Sequence, residues 1–164
     1  MKEAYDSAGV VANDRGITVW LKGNRVSRNQ IMAIKEESVT DQKNSLTVCL
    51  DNILRHAGIT RNTEYDLAQG KTAIQILEEN MTGVQVLDLS GCSLDAVLYY
   101  VNQDIPVLAI LEDGEAVLVT GFNEFNVVIM EPSTGKLYKK GMNDATTWFA
   151  ENGNHFISYM KIDN

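Results

Sequence analysis

The sequence predicts one α+β domain preceded by an arm. Residues 44–101 contain three stretches with apolar residues at helical spacing, two of them opened by a capping residue. Residues 106–161 change texture, to short β-rich runs separated by turn dipeptides. Helices first and antiparallel strands afterwards is the order of an α+β fold. The chain's 164 residues suit a single domain. We place the arm at 1–35 and the domain at 36–164.

Residues 1–16 are polar and lack a sustained period. Ile17 to Lys22 is β-branched and aromatic and stops at Gly23-Asn24, which predicts a short strand. Val26 to Glu37 suits a helix with Ile31, Met32 and Ile34 on one side. After a turn-like run, Asn44 or Ser45 caps the clearest helix. Its apolar face is Leu46, Cys49, Leu50, Ile53, Leu54 and Ala57, with His56 in the last turn and Gly58 after it. A second helix spans about Thr72 to Met81 and ends at Thr82-Gly83. Val84 to Leu89 alternates like a strand. Ser93 caps a helix through Val101, with Asp95 in its dipole-favoured first turn. Then follow strands at Pro106–Leu111, Ala116–Phe122 and Asn126–Met130, with turns at Asp113-Gly114 and Asn123-Glu124. Leu137–Lys140 is a fourth strand, Ala145–Glu151 a helix capped by Asn143 or Asp144, and His155–Lys161 the last strand.

Composition narrows the function. Hydrophobic residues are 45% and charged residues 22%, a globular balance that argues against disorder. With 14 basic against 22 acidic residues the net charge is −8. The basic residues are scattered, so nucleic acid and anionic membranes are not expected partners. No apolar run approaches the ~20 residues of a membrane span, and no signal peptide opens the chain. The chain reads as a cytosolic protein or as a domain of something larger, such as a surface or membrane-associated protein. Two cysteines without a nearby histidine make no zinc site. No metal or other cofactor is expected. Cys49 and Cys92 sit among apolar neighbours and read first as buried thiols; a mutual disulfide or a reactive role for either are the alternatives.

The order of elements carries a resemblance. A helix ends in Gly58; a Gly91-Cys92-Ser93-Leu94 helix follows; then come Pro106-Val107-Leu108-Ala109-Ile110, a Gly114-Glu115-Ala116-Val117-Leu118-Val119-Thr120-Gly121 strand, and a strand ending in Glu131-Pro132. Over residues 38–161 this resembles the peptidase family C-39-like group, papain-like cysteine peptidases related to bacteriocin-leader processing. The resemblance implies a papain-like fold with N-terminal helices packed on a C-terminal antiparallel sheet. It implies a nucleophilic Cys opening the first helix, about thirteen residues before the helix-ending Gly; that count reaches Ser45. The general-base His of the family falls at Glu115, and its orienting Asp at Glu131, sixteen residues further on. The family's oxyanion-hole Gln precedes the nucleophile by a few residues, and Gln42 lies three before Ser45.

The replacements matter because the mechanism needs a thiolate, an imidazole that activates it and a third group that orients the imidazole. A serine and two glutamates are not that relay. The expected reading is therefore a pseudo-peptidase that keeps a cleft and binds a peptide or protein ligand there, with Ser45, Glu115 and Glu131 as the binding positions. Glu115 and Glu131 favour a cationic ligand. The alternative is an active cysteine- or serine-type peptidase or acyl hydrolase using Ser45 or Cys92. A third reading is a module of a larger bacterial protein that mediates assembly or dimerises through residues 1–35. Residue by residue, Ser45 reads as an N-cap, His56 and His155 as structural groups, and Trp20 and Trp148 as core or edge aromatics.

Overall fold

The computed structural model describes residues 44–162. The expected strand 17–22, the helix 26–37, Trp20 and Gln42 lie outside the described residues. Helix α1 (Ser45–His56) begins where the Asn44 side chain accepts the Thr47 N–H at 2.8 Å. Asn44 is thus the cap, and Ser45 is the first helical residue rather than the N-cap. Cys49, Leu50, Ile53 and Leu54 are buried, as their spacing requires. Ala57, expected on that face, lies beyond the last helical turn and is exposed. Gly58, at φ +87°, turns the chain into the left-handed region that favours glycine. His56 contributes more than dipole compatibility: its Nε2 lies 3.0 Å from the Asp104 carbonyl oxygen and 3.5 Å from the Asp104 carboxylate.

Helix α2 (Glu64–Ala68) has no counterpart in the sequence-based expectation. Its start is organised from a distance. The buried Asp51 of α1 accepts both the Thr63 N–H at 2.8 Å and the Thr63 hydroxyl at 2.9 Å on one oxygen. Arg61 holds the next carboxylate, Asp66, at 2.8 Å. Helix α3 (Ala73–Asn80) opens on a capping box between Thr72 and Gln75. Helix α4 (Leu94–Val101) opens on Ser93, whose hydroxyl accepts the Ala96 N–H at 3.3 Å.

The strands are β1 (Val84–Asp88), β2 (Val107–Ile110), β3 (Ala116–Phe122), β4 (Asn126–Glu131), β5 (Lys136–Gly141) and β6 (Phe156–Lys161). They form one six-stranded antiparallel sheet in the order β1-β6-β2-β3-β4-β5. Strands β2 to β5 are a meander. The chain then runs through helix α5 (Met142–Glu151), and β6 inserts between β1 and β2, pairing Tyr159 with Val86 and Ile157 with Leu108.

Period-2 alternation divides the strands between two cores. Leu108, Leu118, Met130, Ile157 and Tyr159 meet α1 and α3 on one face. Val107, Val119, Ile129 and Phe156 meet α4 and α5 on the other. The expected N-terminal helices on an antiparallel sheet are present, and α4 and α5 add a layer on the opposite face. Helix α5 corrects one expectation. It starts at Met142, and neither Asn143 nor Asp144 caps it. Its entry is set by the sheet instead: β5 runs straight into the helix, and the Met142 N–H donates to the Phe125 carbonyl at 2.7 Å. Among the described residues, no helix is long and apolar enough to cross a membrane.

The tie between Asp51 and Thr63 is testable. Asp51→Ala leaves a buried N–H and hydroxyl without their acceptor and is expected to cost about 2–3 kcal/mol in denaturant unfolding. Asp51→Asn keeps an acceptor and should cost about half as much. Equal losses for the two would show that the hydrogen bonds are not what holds α2.

Candidate functional site

A cleft of about 410 Å³ opens where β3 begins and β4 ends. Ser45 comes to its wall at the start of α1. The Ser45 hydroxyl oxygen accepts the Ala116 N–H at 2.8 Å, across 71 residues of chain. That contact docks the helix N-terminus on the first residue of β3. Glu115 sits one residue earlier, at the end of the β2–β3 turn. Its backbone is held on both sides: its carbonyl accepts the Leu111 N–H at 2.7 Å, and its N–H donates to Asp113 Oδ1 at 2.9 Å. The Glu115 side chain is left exposed.

Glu131 ends β4 and is half-buried. Its Oε1 accepts the N–H of Ser133 at 3.1 Å and the Ser133 hydroxyl at 3.2 Å, which fixes the carboxylate over the turn. Its negative charge reaches two neighbours. Burial, and then Glu131, push the Tyr138 phenol upward. The same two causes push the fully buried Cys49 thiol well above its ordinary range. The Glu131 charge is therefore felt by both α1 and β5.

The structure brings Ser45, Glu115 and Glu131 to one cleft. Gln42 lies outside the described residues. Three further groups in the lining were not singled out as site residues from the sequence. Asp113 adds a third carboxylate, while Tyr138 and Trp148 supply aromatic surface. Trp148, expected as a core or edge aromatic, is half-buried, and it packs at 4.9 Å between ring centroids against the buried Phe149. Lys140 stands 4.7 Å from the Trp148 ring centroid. Nothing in the sequence separates Trp148 from an ordinary helix-face aromatic. No Lys or Arg is among the residues that line the cleft.

The chain's two cysteines and two histidines all fall within the described residues, and none of the four lines the cleft. Cys49 is buried one helical turn behind Ser45. Cys92 is half-buried before α4 and packs against the core on the opposite face of the sheet. Both thiols are free. His56 ends α1, roughly 16 Å along the axis from Ser45 at about 1.5 Å per residue. His155 is exposed ahead of β6. Among the described residues, no group of three or more His, Cys, Asp and Glu is placed to hold a metal ion.

No family model matches the sequence, and no curated protein matches it. The structure does have a solved neighbour. It superposes on the crystal structure of a protein assigned as a C39-like peptidase from Bacillus anthracis with a TM-score of 0.65. The match spans 82% of this chain and 98% of that one, at 14% sequence identity. The chain has the C39-like peptidase fold. In this C39-like fold the N-terminal helix and the antiparallel sheet meet at the cleft just described. The resemblance read from Gly58, Glu115-Ala116-Val117 and Glu131-Pro132 thus holds at the level of the fold.

Two outcomes follow from this geometry. Ser45→Ala removes the acceptor of a half-buried N–H and should cost about 1 kcal/mol of folding stability, read by denaturant unfolding. A stability unchanged by that substitution would mean the contact carries no weight. A thiol alkylating agent at neutral pH should leave Cys49 unmodified in the folded protein and modify it once denaturant is added. Mapping the label by mass spectrometry checks this, and rapid native labelling at Cys49 would contradict it.

Proposed function

We propose that this domain binds a peptide or protein segment in the cleft and does not cleave it. The observation that carries the reading is the absence of every cysteine and histidine of the chain from the cleft lining. Peptide hydrolysis by a papain-like site needs a nucleophile whose proton is taken by an imidazole and later given to the leaving amine. Ser45 has no imidazole within its cleft, and its oxygen already accepts the Ala116 N–H. The neighbour from Bacillus anthracis is named as a peptidase. In the present chain the same architecture is proposed to retain only the gripping half of that activity.

The ligand we propose is cationic. Asp113, Glu115 and Glu131 give the cleft one sign of charge, and the exposed Tyr138 offers a face on which a lysine stem or a guanidinium can lie. The alternative, an acyl hydrolase using Ser45 or Cys92, has less support: Ser45 serves as a backbone acceptor, and Cys92 is outside the cleft. We further propose that the domain works as a module of a larger bacterial protein, where such binding positions a client.

Titration calorimetry with lysine- and arginine-containing peptides tests the charge reading. Glu115→Gln and Glu131→Gln are each expected to weaken binding by about three-fold at low salt, the scale of one exposed ion pair. Affinity should fall further as salt rises. Peptides in which Lys and Arg are replaced by Gln should lose affinity for the unaltered protein but not for the double variant. An affinity indifferent to both glutamates would remove these residues from the site.

A further inference from the structure

The described chain begins at the cleft. Asn44 and Ser45, the first two described residues, both line it. The polypeptide that precedes them has an uneven charge. Basic residues are scattered over the chain as a whole, yet residues 15–35 carry Arg15, Lys22, Arg25, Arg28 and Lys35 and not one acid. This cationic segment belongs to a protein of net charge −8 and is joined to a cleft lined by Asp113, Glu115 and Glu131.

We infer that residues 22–35 of this chain dock in the cleft and compete there with any external ligand. The inference rests on the peptide-binding reading of the cleft and names its resident occupant. Reach is no obstacle: the nine residue-to-residue steps from Lys35 to Asn44 span up to roughly 30 Å. Individual exposed ion pairs contribute little. The tether compensates by holding the segment at an effective concentration on the order of millimolar. Docking of this kind is reversible and salt-sensitive, so a better cationic ligand displaces it.

Carbodiimide cross-linking of the full chain reads the docking directly, because it joins a lysine amine to a carboxylate that touches it. Monomeric product should contain links from Lys22 or Lys35 to Asp113, Glu115 or Glu131, and these should disappear at about 0.5 M salt. Links only to carboxylates outside the cleft, or only between two chains, overturn the inference. A competition arm separates it from the reading beneath it. A synthetic peptide of residues 22–35 should bind the full-chain Arg25→Glu/Arg28→Glu variant at least about three-fold more tightly than the unaltered protein, the release of at least one exposed ion pair. Equal affinity for both proteins overturns self-docking and leaves the cleft reading standing. Binding to neither removes both.

Discussion

The hydrogen bond from the Ala116 N–H to the Ser45 hydroxyl is the contact on which the cleft depends. Its necessity comes from the sheet. The Leu111 N–H donates to the Glu115 carbonyl on the β2 side, so the next residue, Ala116, points its N–H the other way, toward β4. The β3–β4 register, with Leu118 opposite Met130, places Pro132 across from Ala116, one residue past the end of β4. The ladder has stopped, and a half-buried N–H needs another acceptor. Ser45 supplies it. The same bond sets the N-terminus of α1 beside the start of β3 and the end of β4, and the cleft is the space those three ends enclose.

This use of Ser45 bears on the function proposed for the cleft. A hydroxyl engaged as a backbone acceptor joins two elements of the fold. Two of the three carboxylates around it are likewise tied to the backbone turns that carry them. Asp113 holds the Glu115 N–H, and Glu131 holds the N–H and hydroxyl of Ser133. Each turn therefore spends one oxygen on its own geometry and presents a fixed negative charge to the cleft. Fixed charge of one sign beside aromatic surface favours association with cations and supplies no proton relay. Cys49, one helical turn behind Ser45, is fully buried, and burial and then the Glu131 charge push its thiol well above its ordinary range.

Much of this was legible because it is local. Asn44 and Ser93 cap their helices within three residues, so α1 and α4 could be read from adjacent letters, and α3 from its apolar spacing. β-rich runs and turn dipeptides did the same for the meander. What escaped is held from afar. Helix α2 is too short to show a period, and its N-terminus is anchored by Asp51, twelve residues earlier. The start of α5 depends on the Phe125 carbonyl, in a turn between two strands. The place of β6, between β1 and β2, is a property of sheet order that no window of sequence contains. At the site, Ser45, Glu115 and Glu131 were found by their spacing within a family pattern. Asp113, Tyr138 and Trp148 belong to no such pattern and came into view only when three strand and helix ends met.

The cleft is proposed to grip peptide without hydrolysing it. The decisive experiment is mass spectrometry of a lysine- and arginine-rich peptide library after prolonged incubation with the full-length protein. Every peptide is expected at its starting mass, including those retained on the protein. New peptide termini that accumulate with time, and that vanish when Ser45→Ala replaces the unaltered chain, would contradict it.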